Sequence, residues 1–215
     1  MHILSIDVGV KNLALFIEYF NKDVVTSCKN VDEVCTTGKT TFLARLDLYK
    51  EGTCYCKIPD IVYKRLIDFL KKYDELFSAC SCIIIEEQFY AFNKIAPQMA
   101  CMIKMYFSVT HNEIPVVFVS PKIKTRALGA DKSIKNKQLK KWVDKKIESI
   151  LTNRSDKSLN FIKSNQSSDG HIFVNGESIL CDVAGTNKKT NDYADAICQL
   201  QAFKYLFFVE KSLIF

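Results

Sequence analysis

Two strand-length apolar runs in this chain end on carboxylates, and that feature constrains its fold more than any other. Ile3-Leu4-Ser5-Ile6 leads into Asp7-Val8-Gly9, and Cys82-Ile83-Ile84-Ile85 leads into Glu86-Glu87. A short, nearly continuous apolar run reads as a strand covered on both faces. An acid at the end of such a strand is costly unless it is ion-paired or bound to a cation. Taken singly, Asp7 is a turn aspartate before Gly9, and Glu86 and Glu87 are a polar strand end whose side chains point to opposite sheet faces. A third acidic motif, Asn191-Asp192-Tyr193-Ala194-Asp195-Ala196, opens the last helix. A spacing of three puts Asp192 and Asp195 on one helical face. Asp192 suits the positive end of the helix dipole, with Thr190 or Asn191 as the cap. Asp195 sits between two alanines, and such small neighbours permit close approach to a sheet.

Together these acids can converge into an oxygen-only cluster. Bringing three or four carboxylates together is repulsive, and hard divalent cations relieve the repulsion, with Mg²⁺ preferring such ligands. Two such ions about 3.5–4 Å apart stabilise both the attacking and the leaving oxygen of an in-line phosphoryl displacement. The charge balance is compatible with a polyanionic partner: 30 Lys and Arg against 24 Asp and Glu leave a net charge of +6. The positive charge concentrates at Lys132, Lys135, Lys137, Lys140, Lys141, Lys145 and Lys146, where Asp144 is the single intervening acid. Lys122, Lys124 and Arg126 extend the patch towards the preceding strand. This patch reads either as a solvated helix face or as a phosphate-contacting surface at the entrance to the acidic site. Lysines position a backbone and carry little base information. Phe89 and Tyr90 follow the second acidic motif, and such rings serve either to stack on an unpaired base or to form an apolar seam.

The order of elements predicts a mixed α/β fold. Residues 12–20 alternate as a strand, and 24–28 read as a third strand after the Asn21-Lys22-Asp23 turn, giving an antiparallel meander. Residues 30–57 are irregular, with a short helix expected near 42–48. Pro59 opens a helix with a 3.6-residue apolar period through Leu66, Leu70 and Phe77. Further on, 95–109 and 133–151 read as helices, 116–120 as a buried strand, and 191–209 as a helix with a heavy apolar face. Within the polar stretch 152–189, Asn175-Gly176 marks a tight hairpin. The expectation is one domain over 1–215, with insertions at about 30–57 and 152–189 and helices on the faces of the sheet.

The 9 cysteines read as free thiols. Met1–Phe16 lacks the features of a cleaved leader, and no apolar run is long enough to span a bilayer, so an intracellular, reducing compartment is expected, with no membrane association. A zinc site from Cys28, Cys35, Cys54 and Cys56 would need spacings that match no standard pattern.

The three acidic motifs, in this order, resemble those of the RuvC-type Holliday junction resolvases, closest in style to the versions found in poxviruses and other large DNA viruses. Ile3–Asn12 resembles the first strand with its aspartate and glycine turn; Ile84-Ile85-Glu86-Glu87-Gln88 resembles the second motif; Asn191–Ala196 resembles the terminal helix with its D-x-x-D-A pattern. The viral and mitochondrial spacing of the second motif selects Glu86, whereas the bacterial spacing selects Glu87. Lys124 and Lys132 are similar to two lysines near the bacterial active site. The resemblance implies a ribonuclease H-like mixed sheet of five strands, the first three antiparallel, flanked by helices and carrying a small hairpin insertion. It also implies a homodimeric endonuclease on four-way or branched DNA, making paired nicks that leave 5′-phosphate and 3′-hydroxyl ends. Asp7, Glu86, Asp192 and Asp195 would hold two Mg²⁺ ions, for which Mn²⁺ substitutes, and no small-molecule cofactor is implied. A cytoplasmic DNA virus as the source would place the protein in the host cytoplasm.

Other readings share part of this pattern. A nuclease of the same fold acting on RNA–DNA hybrids or branched DNA would use the same acids. The Asp7-x-Gly9 turn also occurs in actin-like and sugar-kinase phosphotransferases, which need a second such fold around ATP; no second Asp-x-Gly strand turn of that kind is present.

Overall fold

A computed structural model describes residues 1–49, 57–89, 94–131, 134, 136–164, 170–185 and 191–213 of the chain. Its centre is a mixed sheet of seven strands: β1 (His2–Asp7), β2 (Leu13–Tyr19), β3 (Lys39–Leu46), β4 (Cys80–Glu86), β5 (Val116–Val119), β6 (His171–Val174) and β7 (Glu177–Leu180). The spatial order is β5-β4-β1-β2-β3-β6-β7. β1, β2 and β3 form an antiparallel meander, and β4 and β5 run parallel to β1.

The expected five strands become seven because the Asn175-Gly176 hairpin does not stand apart. β6 pairs with β3, so the hairpin extends the same sheet. The meander is also built differently from its sequence expectation. Residues 24–28 are not a strand: Lys22–Ser27 is helix α1, capped by the Asn21 side chain, which accepts from the backbone N–H groups of Asp23 and Val24. Only Val25 of α1 is buried, so the β-branched pair Val24-Val25 found no sheet face to fill. Helix α2 (Val31–Thr36) starts in a reciprocal cap, with Glu33 N–H donating to Asn30 and Lys29 N–H donating to the Glu33 carboxylate. The true third strand is β3, covering the stretch where a short helix was expected; most of its residues are buried, too many for an amphipathic helix.

The helix expected from Pro59 through Phe77 is divided at Tyr73 into α3 (Asp60–Lys72) and α4 (Asp74–Ser78). Together with α5 (Ile95–Thr110), which follows as expected, they cover one face of the sheet, packing on Leu4, Ile6, Leu15, Ile83 and Ile85. The other face carries α6 (Lys122–Leu128), α7 (Asn136–Asn153), α8 (Ser158–Ser164) and α9 (Asn191–Lys204), with Ile3, Phe16, Leu43 and Ile84 beneath them. A π-helical turn, Tyr205–Val209, continues α9. No helix among the described residues is long and apolar enough to cross a membrane. The described cysteines are free thiols; Cys54 and Cys56 lie outside the described residues.

Helix α9 lies against the centre of the sheet. Ala194 and Ala196 are fully buried, and the Ser5 hydroxyl donates to the Ala196 carbonyl at 2.8 Å. At its far end, Lys204 is buried against Glu18 of β2, which also receives Arg154, the residue just past α7, at 2.6 Å and Gln201 at 2.7 Å. Gly38 adopts φ +93°, and a Cβ there would collide with the Glu18 carboxylate, so the turn before β3 requires glycine. Burial works against the Glu18 charge, but Arg154 and Lys204 outweigh it and hold its carboxyl below the usual range.

Truncating Glu18 leaves two buried cations uncompensated. Glu18→Ala is therefore expected to lower the unfolding free energy by about 3–5 kcal/mol, measured by urea denaturation at neutral pH. The contribution of this carboxylate is fully present above its unfolded pKa of about 4.3. It is lost as pH falls through the lower folded value, so the gap between wild type and variant should close under acid.

Candidate functional site

The strand register brings the acids together. Ile6 pairs with Ile85 in parallel, which sets Asp7 beside Glu86 at the same edge of the sheet. Asp7 lies opposite Ala14 on β2, and Ala14 lies opposite Arg45 on β3. Directly paired residues share a face, so Glu86, Asp7, Ala14 and Arg45 form one row beneath the first turns of α9.

Asp195 comes down onto this row from α9. The Lys124 ammonium, delivered by α6 immediately after β5, donates to Glu86 Oε2 at 2.7 Å and to Asp195 Oδ1 at 2.8 Å. Lys124 is 8% exposed. Asp192, one turn earlier, is approached by Arg45 Nη1 at 3.9 Å. Alternation separates the two adjacent glutamates: Glu86 points into the cluster, and Glu87 is exposed.

The electrostatics follow from this crowding. Asp7 has its pKa raised well above the ordinary carboxylate value, by burial first and then by Glu86; Lys124 opposes the rise, and Asp195 and Asp192 add to it. Burial works against the Lys124 charge, yet Glu86, Asp195 and Asp7 together carry its pKa above that of an ordinary lysine. Asp144 of α7 is likewise pushed up, by burial and by Asp195, against Lys140. The arrangement is thus an anionic pocket with an ammonium in its middle.

A divalent cation fits the donor chemistry, since Asp7, Glu86, Asp192 and Asp195 offer only hard oxygen atoms. Two of those carboxylates already converge within 2.8 Å of a single positive centre. As the side chains stand, no three acidic, histidine or cysteine side chains among the described residues are gathered tightly enough to ligate one ion, because Lys124 occupies the point where Glu86 and Asp195 meet.

A cleft of about 480 Å³ opens beside the cluster between α6, α7 and α9, lined by Pro121, Lys124, Leu139, Lys140, Val143 and Asp195. Lys140 and Lys141 are exposed on α7, and Lys122 and Arg126 are exposed on α6, where Arg126 reaches Glu210 at 3.4 Å. Lys145 is exposed, whereas Lys146 turns to Asp32 at 3.0 Å. Phe89 is 51% exposed just past the second acidic motif. Lys132, Lys135, Tyr90 and Thr190 lie outside the described residues, as do the side chains of Lys137 and Asn191. Asn191 is itself the first residue of α9.

Arg45 and helix α6 escaped the sequence reading. The signal for Arg45 was a lone cation in the otherwise β-like Thr40-Thr41-Phe42-Leu43-Ala44-Arg45-Leu46. The signal for α6 was Pro121 at its start and Gly129 at its end, where Gly129 is left-handed and its N–H bonds the Thr125 carbonyl.

No family model matches the chain. Over 98% of its length it is 25% identical to 92% of the uncharacterized protein 170L of invertebrate iridescent virus 6. Among solved structures, the Holliday junction resolvase of fowlpox virus matches with a TM-score of 0.54 at 16% identity, over 99% of this chain and 100% of that one. The yeast mitochondrial Holliday junction resolvase matches with a TM-score of 0.52 at 15% identity, over 98% and 86%. RuvC of Thermus thermophilus matches with a TM-score of 0.51 at 11% identity, over 97% and 98%. The chain therefore has the ribonuclease H-like fold of the RuvC-type and poxvirus resolvases.

Asp7 is held as a half-buried carboxylate among like charges. Asp7→Asn removes the repelled charge and is expected to raise the melting temperature in chelator at pH 8 by about 2–4 °C for each kcal/mol of repulsion relieved. The sign follows from the raised pKa: wild type gains stability as pH falls and Asp7 takes up a proton, so the difference should shrink towards acid pH.

Proposed function

We propose that this protein is a structure-selective DNA endonuclease that resolves four-way junctions by paired, metal-dependent nicks. The observation that carries the reading is that Asp7, Glu86 and Asp195 gather around the buried Lys124 ammonium, with Asp192 one helical turn away beside Arg45, in a fold shared with junction resolvases. Mg²⁺ ions, two per site with Mn²⁺ as a substitute, would supply charge neutralisation and lower the pKa of the attacking water. The four carboxylates hold and orient that charge. Lys124 offers a positive centre to the incoming phosphate. Water adds to phosphorus and the bond to the 3′-oxygen breaks, leaving a 5′-phosphate and a 3′-hydroxyl.

Lys140 of α7 lines the cleft beside Asp195, Lys122 and Arg126 of α6 line a second cavity that shares Thr125 and Leu139 with it, and Lys141 is exposed on α7. They would follow the phosphate backbone, with Lys132, Lys135 and Lys137 continuing the same stretch, so junction shape rather than base identity governs recognition. Phe89 and Tyr90 would stack on bases at the junction centre. Two coupled nicks require two active sites, and α5 exposes Met105 (63%) and Val109 (76%) on the face suited to a second copy. The free thiols suit a reducing compartment.

A nicking assay on a mobile four-way junction, a linear duplex and an RNA–DNA hybrid tests the reading. Cleavage of the junction alone, with Mg²⁺ and not with chelator, is the expected result; cleavage of the hybrid alone would overturn it. Asp7→Asn should lower the nicking rate by at least about 10³-fold, as loss of a group acting only in the transition state does, while binding the junction as tightly as wild type. Light scattering should return a dimer mass for wild type and a monomer mass for Val109→Glu.

A further inference from the structure

Arg45 has a place in the site that the proposed activity does not by itself assign. It is 4% exposed, on the strand face beneath α9, two strands away from Asp7. Its guanidinium makes contacts in two directions. Nη2 donates to the Gly185 carbonyl at 3.0 Å, while the Gly185 N–H donates back to the Arg45 carbonyl at 2.8 Å. Nη1 lies 3.9 Å from Asp192 Oδ2, and the guanidinium carbon lies 5.8 Å from the centre of the Tyr193 ring. Further along β3, Leu46 bridges Ala184, and the Asp47 N–H donates to the Val183 carbonyl at 2.9 Å. One side chain therefore joins the segment that precedes α9 to the first turn of α9.

We infer that Arg45 is a positioning residue that seats the start of α9 so that Asp192 faces the cation site. This rests on the proposed metal-dependent activity. The fork geometry matters: a guanidinium can serve a backbone carbonyl and a carboxylate at once, whereas an ammonium is a point charge. Close approach matters too, because a Cβ on Gly185 would lie 3.0 Å from Arg45 Nε. Lys124 tethers Asp195 from the β5 side and Arg45 tethers Asp192 from the β3 side, so the two acids of one helical turn are held to different parts of the sheet.

Charge and position make opposite predictions. If Arg45 were only a competing positive charge, its removal would tighten cation binding. If it positions Asp192, its removal loosens binding, and supporting contacts of this kind are worth about 10–100-fold in metal affinity. Mn²⁺ binding to the full-length protein, measured by calorimetry without DNA, decides between them, with thermal melting to establish that each variant is folded. Arg45→Met and Gly185→Ala are expected to weaken Mn²⁺ binding by about tenfold or more, Arg45→Lys to recover part of the loss, and junction kcat to fall with little change in KM. Gly185→Ala keeps the charge and disturbs only its seat, so it carries the test if Arg45→Met fails to fold. Wild-type or tighter Mn²⁺ binding in Arg45→Met or Gly185→Ala overturns the inference and leaves the nuclease reading standing. Absence of Mn²⁺ binding and of junction nicking in wild type overturns both.

Discussion

Helix α9 is a charged rod seated on the most buried part of the sheet, and everything else in the molecule accommodates that seat. Its 14 residues span about 21 Å at 1.5 Å per residue. The middle is apolar and small, with Ala194, Ala196 and Ile197 fully buried. The ends are ionic: Asp192 and Asp195 face Arg45 and Lys124, and Lys204 faces Glu18. A buried charge is tolerated only beside its partner, so these pairs set where along the sheet the helix can stop and how it is rotated. Sliding α9 by one residue would turn Asp195 away from Lys124 and bring Lys204 against apolar neighbours.

The two ends differ in kind. At Glu18 the neighbours are opposite in sign: a carboxylate sits among two cations and an amide, and its affinity for a proton falls. At Asp7 carboxylates crowd together, and its affinity for a proton rises. The first end resembles a structural lock. The second holds unfavourable energy in the fold, which a bound cation would relieve. Perturbed carboxylates in a cleft mark a functional site more often than a structural one, and the contrast within a single helix shows why: the lock needs no ligand, whereas the acidic end is stable only because the rest of the sheet holds it together.

Much of this was legible in the residues. Asp7 and Glu86 stood out because apolar strands ran straight into them, and Asp192 and Asp195 because a spacing of three put them on one face. The hairpin was legible in Asn175-Gly176 because that pair tolerates the positive backbone angles of a tight turn; Asn175 has φ 50° and Gly176 φ 100°. The misplaced third strand has an equally local origin. Val24-Val25 has β-branched character, but Asn21 caps the backbone into a helix, and local composition does not reveal which of two candidate segments will find an open strand edge. Thr40–Leu46 reached the free edge of β2, and its pairing with Asp156 and Ser158 through Thr40 ties the later segment in as well.

By itself the sequence determined β1, β2, β4, β5, the hairpin and the helices α3, α5, α7 and α9, the order of the acidic motifs and the excess of positive charge beside them, because those depend on periodicity and composition within short windows. Only the tertiary structure decided that Glu86 and not Glu87 joins Asp7, that Lys124 sits between Glu86 and Asp195, and that Arg45 belongs to the same site. Those outcomes depend on strand register and on contacts between residues 38 or more positions apart, such as Lys124 with Glu86 and with Asp195, which exist only once the sheet has closed and the last helix has docked upon it.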